Sequence, residues 1–252
     1  MRARNSGFSY AALAAALFVA GAAVQAQSAA PPDLTGSWER YRGPAGDAAN
    51  PPPESQPPLK GKLLTEWQAR RAAEREADAR GVPLATNYTH CIPDGVPSMM
   101  SGPFPFEIVQ SASQVNIAQE AYSQVRRIYL NKPQLTLGDI ELGFFGRSVG
   151  TWQGDTLVVD TIGIKDYVRF RDVPHTPDMR IKERFKLVRP DILWDEITIE
   201  DPAMLEKPWT VTFAYKRMPD YEIIEYVCED NREYADDEGV TRLRLLESSE
   251  AP

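Results

Sequence analysis

Histidine and cysteine are scarce in this chain of 252 residues, which holds two of each. The chain also has no Gly-rich phosphate loop and none of the H-E-x-x-H, C-x-x-C or G-x-S-x-G motifs. These absences give no support to nucleotide-dependent hydride transfer, zinc-protease chemistry or an α/β-hydrolase triad. The sequence therefore predicts no cofactor and assigns no metal ligand.

The first 26 residues have the pattern of an export signal. Arg2 and Arg4 precede an apolar run over residues 10–23, and residues 24–26 (VQA) have the small side chains of a cleavage site. The run is shorter than the ~20 residues that a membrane-spanning helix needs. We expect cleavage after Ala26 and a periplasmic or secreted mature protein, with an uncleaved anchor as the alternative.

Long runs of basic residues are missing as well. The expected mature chain carries 26 basic and 36 acidic residues, a net charge of −10. Such a chain is poorly suited to bind nucleic acid or an anionic membrane surface. We therefore expect neither as a partner, and no stable membrane insertion. Its 226 residues fit one β-domain over residues 27–252.

The pattern of apolar residues and prolines differs between parts of the chain. Residues 43–60 are proline-rich and predict a linker, and residues 61–81 have the apolar spacing of one amphipathic helix that ends at Gly81. From Phe104 onward short strand-like segments alternate with turns, and the segment EIIEYVCED is one of them. This pattern predicts a mainly β fold, an antiparallel up-and-down, lipocalin-like or calycin-like barrel of about 8–10 strands, with a sandwich as the alternative.

Both cysteines belong to the expected mature chain. An even number of cysteines in an exported protein favours a disulfide, because the compartment is oxidising. We expect a bridge between Cys91 and Cys228, with two separate buried thiols as the alternative.

A carboxylate interrupts the apolar stripe of one predicted strand. Because strand side chains alternate between faces, Glu183 shares its face with four apolar residues, Met179, Ile181, Phe185 and Leu187. The opposite register would place four cations inside a small barrel, which costs far more. Glu183 is therefore expected to point into the barrel, either as a proton-transfer group or as a structural group bonded to Arg127 or Tyr129.

Two further residues are candidates for acid–base chemistry. Asp160 lies in TLVVDTIG with Val158 and Ile162 on its own face, so it needs a partner or a raised pKa. An ion pair with an arginine is the alternative. His175 precedes the strand of Glu183 and is expected at the rim of the barrel, as an acid–base group or a structural one. We predict His175, Glu183 and Asp160 as catalytic residues.

A second set of residues is expected to contact a ligand. Alternation places Arg126 and Arg127 on opposite faces of their strand, and one of the two is expected to point inward. The wall of an apolar pocket is expected from the aromatic stripe of a later strand. The predicted ligand-binding residues are Arg127, Tyr129, Glu107, Trp209 and Phe213.

Several motifs resemble those of a large group of secreted bacterial β-proteins whose activity is not settled. The motifs are LTGSW, PFEIVQ, GTWQGDTLVVDT, KPWTVT and EYVCEDN, in this order along most of the expected mature chain. A Gly-x-Trp start, Gly36 to Trp38, is also similar to lipocalin-type barrels. The resemblance implies an exported single-domain β-protein, and it implies no particular reaction.

The residues predict a barrel that holds a small apolar or aromatic molecule. Proton transfer is the simplest chemistry without a nucleophile or cofactor motif, so we expect an isomerase or lyase that uses a carboxylate and a histidine. A binding protein without turnover is the alternative. A third hypothesis is a cation site formed by Glu107, Asp160 and Glu183. The sequence leaves the oligomeric state open.

Overall fold

The structure is a computed structural model that describes residues 30–82, 84, 91–228, 233–235, 238 and 241–243. The predicted export signal and its cleavage site lie outside the described residues. Within these ranges the chain holds one α-helix, α1 (Lys62–Ala79), close to the predicted range of 61–81.

Nine strands form a closed barrel in which each strand pairs with its neighbours in sequence and β9 pairs with β1. The strands are β1 (Gly36–Arg40), β2 (Phe106–Gln110), β3 (Gln114–Gln119), β4 (Gln124–Leu130), β5 (Arg147–Gln153), β6 (Thr156–Ile162), β7 (Arg180–Arg189), β8 (Ile192–Glu200) and β9 (Trp209–Met218). Two short strands, β10 (Glu233–Ala235) and β11 (Thr241–Leu243), form a separate sheet. The predicted mainly β, lipocalin-like barrel is confirmed.

One pair of strands departs from the purely antiparallel pattern. Strands β4 and β5 are parallel, with Ile128 opposite Ser148, while every other neighbouring pair in the barrel is antiparallel. A closed barrel with an odd number of strands cannot be antiparallel throughout, because the first and last strands would then run in the same direction. The parallel pair removes this conflict, and the connection over residues 131–146 returns the chain to the end where β4 began.

The two ends of the barrel differ in their connections. At one end, which we call the hairpin end, short turns join β2 to β3, β5 to β6, and β7 to β8. At the other end, the loop end, lie the long connections over residues 41–105, 163–179 and 201–208. Helix α1 belongs to the first of these and packs Trp67 and two leucines against the barrel core. A site built from loops is therefore expected at the loop end.

One predicted strand is not present. Residues 221–228, which contain most of the segment EIIEYVCED, have no regular secondary structure. The pairing of β9 with β1 closes the barrel, so no edge is left for a further strand. Side chains attach the segment instead, since the Tyr221 hydroxyl donates to Glu120 at 2.6 Å and the Ser37 hydroxyl donates to the Tyr221 carbonyl at 2.8 Å.

The predicted disulfide between Cys91 and Cys228 is confirmed. Their Cα atoms are 5.6 Å apart, and the bridge spans 137 residues of sequence. It joins the loop before β2 to the end of the segment that follows β9. The disulfide therefore holds the chain after the barrel against the loop end.

Replacing both cysteines by serine should lower the free energy of unfolding by about 4–5 kcal/mol, because the unfolded chain would regain the entropy of a long loop. Guanidinium denaturation of the oxidised protein and of the Cys91→Ser/Cys228→Ser variant measures the difference. The reduced wild-type protein is the matched control and should unfold like the variant. Equal midpoints for the variant and the oxidised protein would contradict the prediction.

Candidate functional site

A buried ion pair crosses the barrel interior. Arg126 of β4 and Glu183 of β7 are both fully buried, and their contact is bidentate, with Arg126 Nη1 donating to Glu183 Oε1 at 2.7 Å and Nη2 donating to Oε2. The remaining donors of Arg126 reach Ser148 Oγ, 3.2 Å from Nε, and Thr161 Oγ1, 3.0 Å from Nη2. The charges of the pair are thus held by a hydrogen-bonded network.

The surroundings of Arg126 favour its charged form. Burial is the largest single effect and acts to lower the pKa of Arg126, but the charge of Glu183 and its hydrogen bonds together outweigh it, so the pKa of the arginine is raised. A carboxylate that accepts two parallel N–H bonds from a guanidinium is in one of the strongest charge-assisted arrangements in proteins. Glu183 is therefore engaged as a structural partner.

The inward orientation of Glu183 is confirmed, but its partner differs from the expected one. The sequence left open which arginine of β4 points inward, and we had assigned Arg127. Arg126 is the buried one, on the same face as Ile128, while Arg127 is exposed on the outer surface. Tyr129 shares this outer face, where the Arg147 guanidinium lies 5.2 Å from its ring centre. Neither Arg127 nor Tyr129 lines the interior.

Asp195 of β8 is a second carboxylate inside the barrel, and it lacks the partners that Glu183 has. It is fully buried, and neither of its carboxylate oxygens has a hydrogen-bond partner among the described residues. In the strand register it lies between Phe185 of β7 and Phe213 of β9. Burial raises the pKa of Asp195 well above its usual range, the charge of Glu183 adds to this rise, and Arg126 opposes it.

Arg40 and Tyr215 lie next to Asp195 in the same interior. Arg40 ends β1 opposite Tyr215 of β9, and its guanidinium lies 4.1 Å from the ring centre of Phe213. The Tyr215 hydroxyl donates to the carbonyl of Met100 at 2.5 Å. Burial and the charge of Asp195 raise the pKa of Tyr215 well above its usual range, so the phenol stays protonated.

Asp160 and Glu107 lie outside this interior. Asp160 is on the outer face of β6, where Arg180 binds it with both Nε and Nη2, the latter at 2.7 Å, and Gln134 Nε2 donates to it at 3.1 Å. Glu107 alternates with the buried Phe106 and Ile108 and faces outward with Val109. Both carboxylates were expected inside, and both are on the outer face. The hypothesis of a cation site shared with Glu183 is therefore wrong.

His175 is buried at the loop end, and both of its ring nitrogens lie next to carbonyl oxygens. Only 7% of its surface is exposed, and its two ring nitrogens lie 2.9 Å from the carbonyl oxygens of Thr176 and Val168. The space beside it is about 10 Å³ and has neither Glu183 nor Asp160 in its lining. The structure does not bring the three predicted catalytic residues together, and Glu183 is not the unpaired carboxylate that we expected.

An open groove of about 490 Å³ lies at the loop end, and we call it the rim groove. It lies between α1, the proline-rich linker and the barrel rim. The residues that define it are Trp67, Arg71 and Arg75 of α1, Glu54 of the linker, Arg171 of the β6–β7 connection, and Trp209 of β9. Trp209 was predicted as a ligand-binding residue, and the structure places it in this wall.

Hydrogen bonds fix the two tryptophans of the rim groove. Trp67 Nε1 donates to the carbonyl of Arg171 at 2.8 Å, and Trp209 Nε1 donates to the carbonyl of Ser55 at 3.0 Å. Phe170 packs against Trp209 at 5.3 Å between ring centres, and against Phe213 at 6.1 Å. Phe213, the last of the predicted binding residues, therefore lies beneath the groove.

The arginines of the rim groove are partly neutralised. Arg171 Nη2 donates to Glu54 at 2.8 Å, and Arg71 pairs with Glu74 and, at 3.4 Å, with Asp172. Desolvation raises the pKa of Glu74, and its hydrogen bond with Asp172 and the charge of that group raise it further. The cations of the groove thus lie next to two neighbouring carboxyl groups, Glu74 and Asp172, that Arg71 contacts.

The sequence pattern indicates the positions of some of these residues. Asp195 interrupts the apolar stripe of β8 in the same way that Glu183 interrupts the stripe of β7. On α1, Trp67, Arg71 and Arg75 are spaced four residues apart, so they share one helix face. Arg40 carries no such signal, because only the closure of the barrel shows what lies across from the end of β1.

Comparisons with known proteins do not name a family. This chain matches no model of a known protein family, and a search of curated proteins found no match either. The resemblance to secreted bacterial β-proteins therefore stays a prediction. Among the described residues, no helix is long and apolar enough to cross a membrane, and no group of three or more His, Cys, Asp or Glu side chains can hold a metal ion.

Asp195→Asn should stabilise the protein at neutral pH. At about pH 3 the carboxyl group is protonated in both the folded and the unfolded chain, so the two proteins should be equally stable. As the pH rises through the pKa of the unfolded chain, the folded chain holds this proton to a higher pH because burial raises the pKa of Asp195, and the wild-type protein loses stability. The variant should exceed the wild type by about 1–3 kcal/mol at pH 7.

Urea denaturation across this pH range measures the effect. Asp155→Asn is the matched control, because the hydrogen bond from Thr156 lowers the pKa of this exposed turn residue and the variant should gain nothing at neutral pH. A stability difference between Asp195→Asn and the wild type that does not change with pH would contradict the prediction.

Proposed function

We propose that this protein binds a small apolar or aromatic molecule in the rim groove without turning it over. The observation that carries the proposal is the groove itself, which has two fixed tryptophans and three arginines in its lining. Its volume of about 490 Å³ is within the range of small-molecule sites. Tryptophan rings offer large flat contact surfaces, and guanidinium groups stack on aromatic ligands or bind their oxygens.

The interior charges support binding more than catalysis. Glu183 is held in a bidentate pair with Arg126, and His175 is held between two carbonyl oxygens. A general base must reach the proton that it removes. Neither residue reaches an open cavity, whereas the rim groove offers shape, apolar surface and charge to a ligand that enters from solution.

The proposal is tested by measuring binding to purified protein. Four probes cover the ligand class, namely naphthoate, acetylnaphthalene, isopropylnaphthalene and octanoate, with tryptophan fluorescence and calorimetry as the two readouts. We expect the aromatic probes to bind, and Trp67→Leu to weaken them by about tenfold, because one aromatic wall contributes roughly 1 kcal/mol or more.

Trp194→Leu is the matched control. Trp194 is half-buried on β8, its Nε1 donates to the carbonyl of Ala49, and it is not part of the groove lining. The control should keep the wild-type affinity. No binding of any aromatic probe, or an equal loss in both tryptophan variants, would contradict the proposal.

A second candidate function is proton transfer beside the same groove, as an isomerase or lyase. The observation that favours it is the carboxyl pair of Glu74 and Asp172, in which the pKa of Glu74 is raised by burial and by its neighbour. A carboxyl group with a raised pKa is suited to general acid catalysis. Arg71, which lines the groove, contacts both members of the pair.

Turnover of a bound probe, followed by mass spectrometry and proton exchange, tests this second candidate. Glu74→Gln should lower the rate by about 10²–10⁴, the usual contribution of general acid–base catalysis, while the dissociation constant changes little. Arg80→Gln, an exposed change at the far end of α1, is the control. Unchanged turnover in Glu74→Gln would rule out this role.

A further inference from the structure

We infer that the barrel holds an inner subsite beneath the rim groove, in which Asp195 and Arg40 bind a carbonyl or carboxylate oxygen of the ligand. This inference rests on the proposed binding function and extends it to the polar part of the ligand. The apolar body of the molecule would lie against the aromatic residues of the groove, and its oxygen would reach the interior.

The first observation is that the buried Asp195 has no hydrogen-bond partner among the described residues. A buried polar group without a hydrogen bond is rare in folded proteins, because its desolvation is not repaid. Neither oxygen of Asp195 has a hydrogen-bond partner among the described residues. Arg126 and Glu183, in the same interior, bind each other. The strand therefore presents a fully buried carboxyl group that no described side chain or backbone group uses.

The second, independent observation is a buried donor of Arg40 that lies near the same part of the interior. Its Nη1 atom is buried and has no hydrogen-bond partner in the described part of the chain. Its guanidinium lies over the ring of Phe213, the residue directly opposite Asp195 in the β8–β9 register. A buried donor of Arg40 and a buried carboxyl group thus flank the same aromatic side chain.

The position of these groups connects them to the rim groove. Phe170 contacts both Trp209, which lines the groove, and Phe213, which lies under Arg40. Arg171, another groove residue, has its guanidinium carbon 6.0 Å from the ring centre of Phe213. Packed aromatic rings therefore connect the wall of the open groove to the side chains of the inner subsite.

The segment that carries Phe170 is under backbone strain. Arg171 and Asp172 follow it directly, with φ angles of 53° and 59°. Residues other than glycine rarely adopt this left-handed region, and each such residue costs of the order of 1 kcal/mol that the surrounding packing must offset. This strain lies directly after Phe170, in the connection that also supplies Arg171 to the rim groove.

The chemistry of the subsite selects an oxygen acceptor. Burial raises the pKa of Asp195 well above its usual range and so favours the protonated form, which is a donor, and the unpaired Arg40 Nη1 is a second donor. Two donors suit a ketone, an ester or a carboxylate. A cationic group is disfavoured, since Arg40 and Arg126 both act on Asp195 with positive charge.

The stability cost of Asp195 supports the same assignment. An apolar residue on this stripe of β8 would bury without penalty, as Leu193, Ile197 and Ile199 do on the same face. Proteins keep such locally unfavourable residues where a site needs them. Asp195 is thus explained by a ligand oxygen that completes its hydrogen bonding.

The test compares a ketone with a hydrocarbon of similar shape. Binding of acetylnaphthalene and isopropylnaphthalene is measured by calorimetry for the wild type and three variants. In the wild type the ketone should bind more tightly. Asp195→Leu should reduce this preference by about tenfold, because one buried donor is lost, and leave the hydrocarbon affinity nearly unchanged. Asp195→Asn should retain most of the preference, since its amide donates in the same place.

Ile197→Val, on the same face of β8, is the matched control and should keep the wild-type preference. The inference is overturned if Asp195→Leu binds both probes with the wild-type ratio, as expected if Asp195 holds only an internal water. In that case a loss of affinity in Trp67→Leu would still support the rim groove. If neither probe binds to the wild type, the binding function and the inner subsite are both wrong.

Discussion

The pairing of β9 with β1 is the constraint on which the rest of this structure depends. Once these strands pair, each side chain of the barrel strands points either into the barrel or out of it. A carboxylate or arginine that points inward can then be paired only by other groups in the interior. The same closure requires one parallel strand pair, because the strand number is odd. It also leaves the segment after β9 without an edge, so the disulfide and side-chain hydrogen bonds attach it instead.

The barrel interior contains two buried carboxyl groups, of which one has an ion-pair partner and the other has no hydrogen-bond partner among the described residues. Arg126 satisfies Glu183, and removing one partner of such a buried pair typically costs about 3–5 kcal/mol, so the pair fixes how β4 and β7 face each other. Asp195 has no comparable partner among the described residues, and burial raises its pKa well above the usual range. The same kind of sequence signal thus marks a structural residue in one strand and a candidate ligand contact in the next.

The rim groove is a composite of segments that are far apart in the chain. The linker supplies Glu54, helix α1 supplies Trp67 and its two arginines, the β6–β7 connection supplies Arg171, and β9 supplies Trp209. Bonds between these segments, such as that from Trp67 to the Arg171 carbonyl, hold them in place. A binding surface of this kind belongs to loops that a rigid barrel positions, which is where ligand sites in small barrels commonly lie.

The sequence by itself determined the features that depend on local pattern. Short strand-like segments separated by turns predicted the eight barrel strands from β2 to β9, and apolar spacing predicted α1. Two cysteines in a chain that is expected to be exported predicted the disulfide. Alternation also predicted that Glu183 points inward. The tertiary structure alone decided which arginine meets Glu183, that Asp160 binds Arg180 on the outside, and that His175 is sealed by two carbonyls. Alternation assigns a side chain to a face, whereas the partner across the barrel depends on closure and register, which no single segment contains.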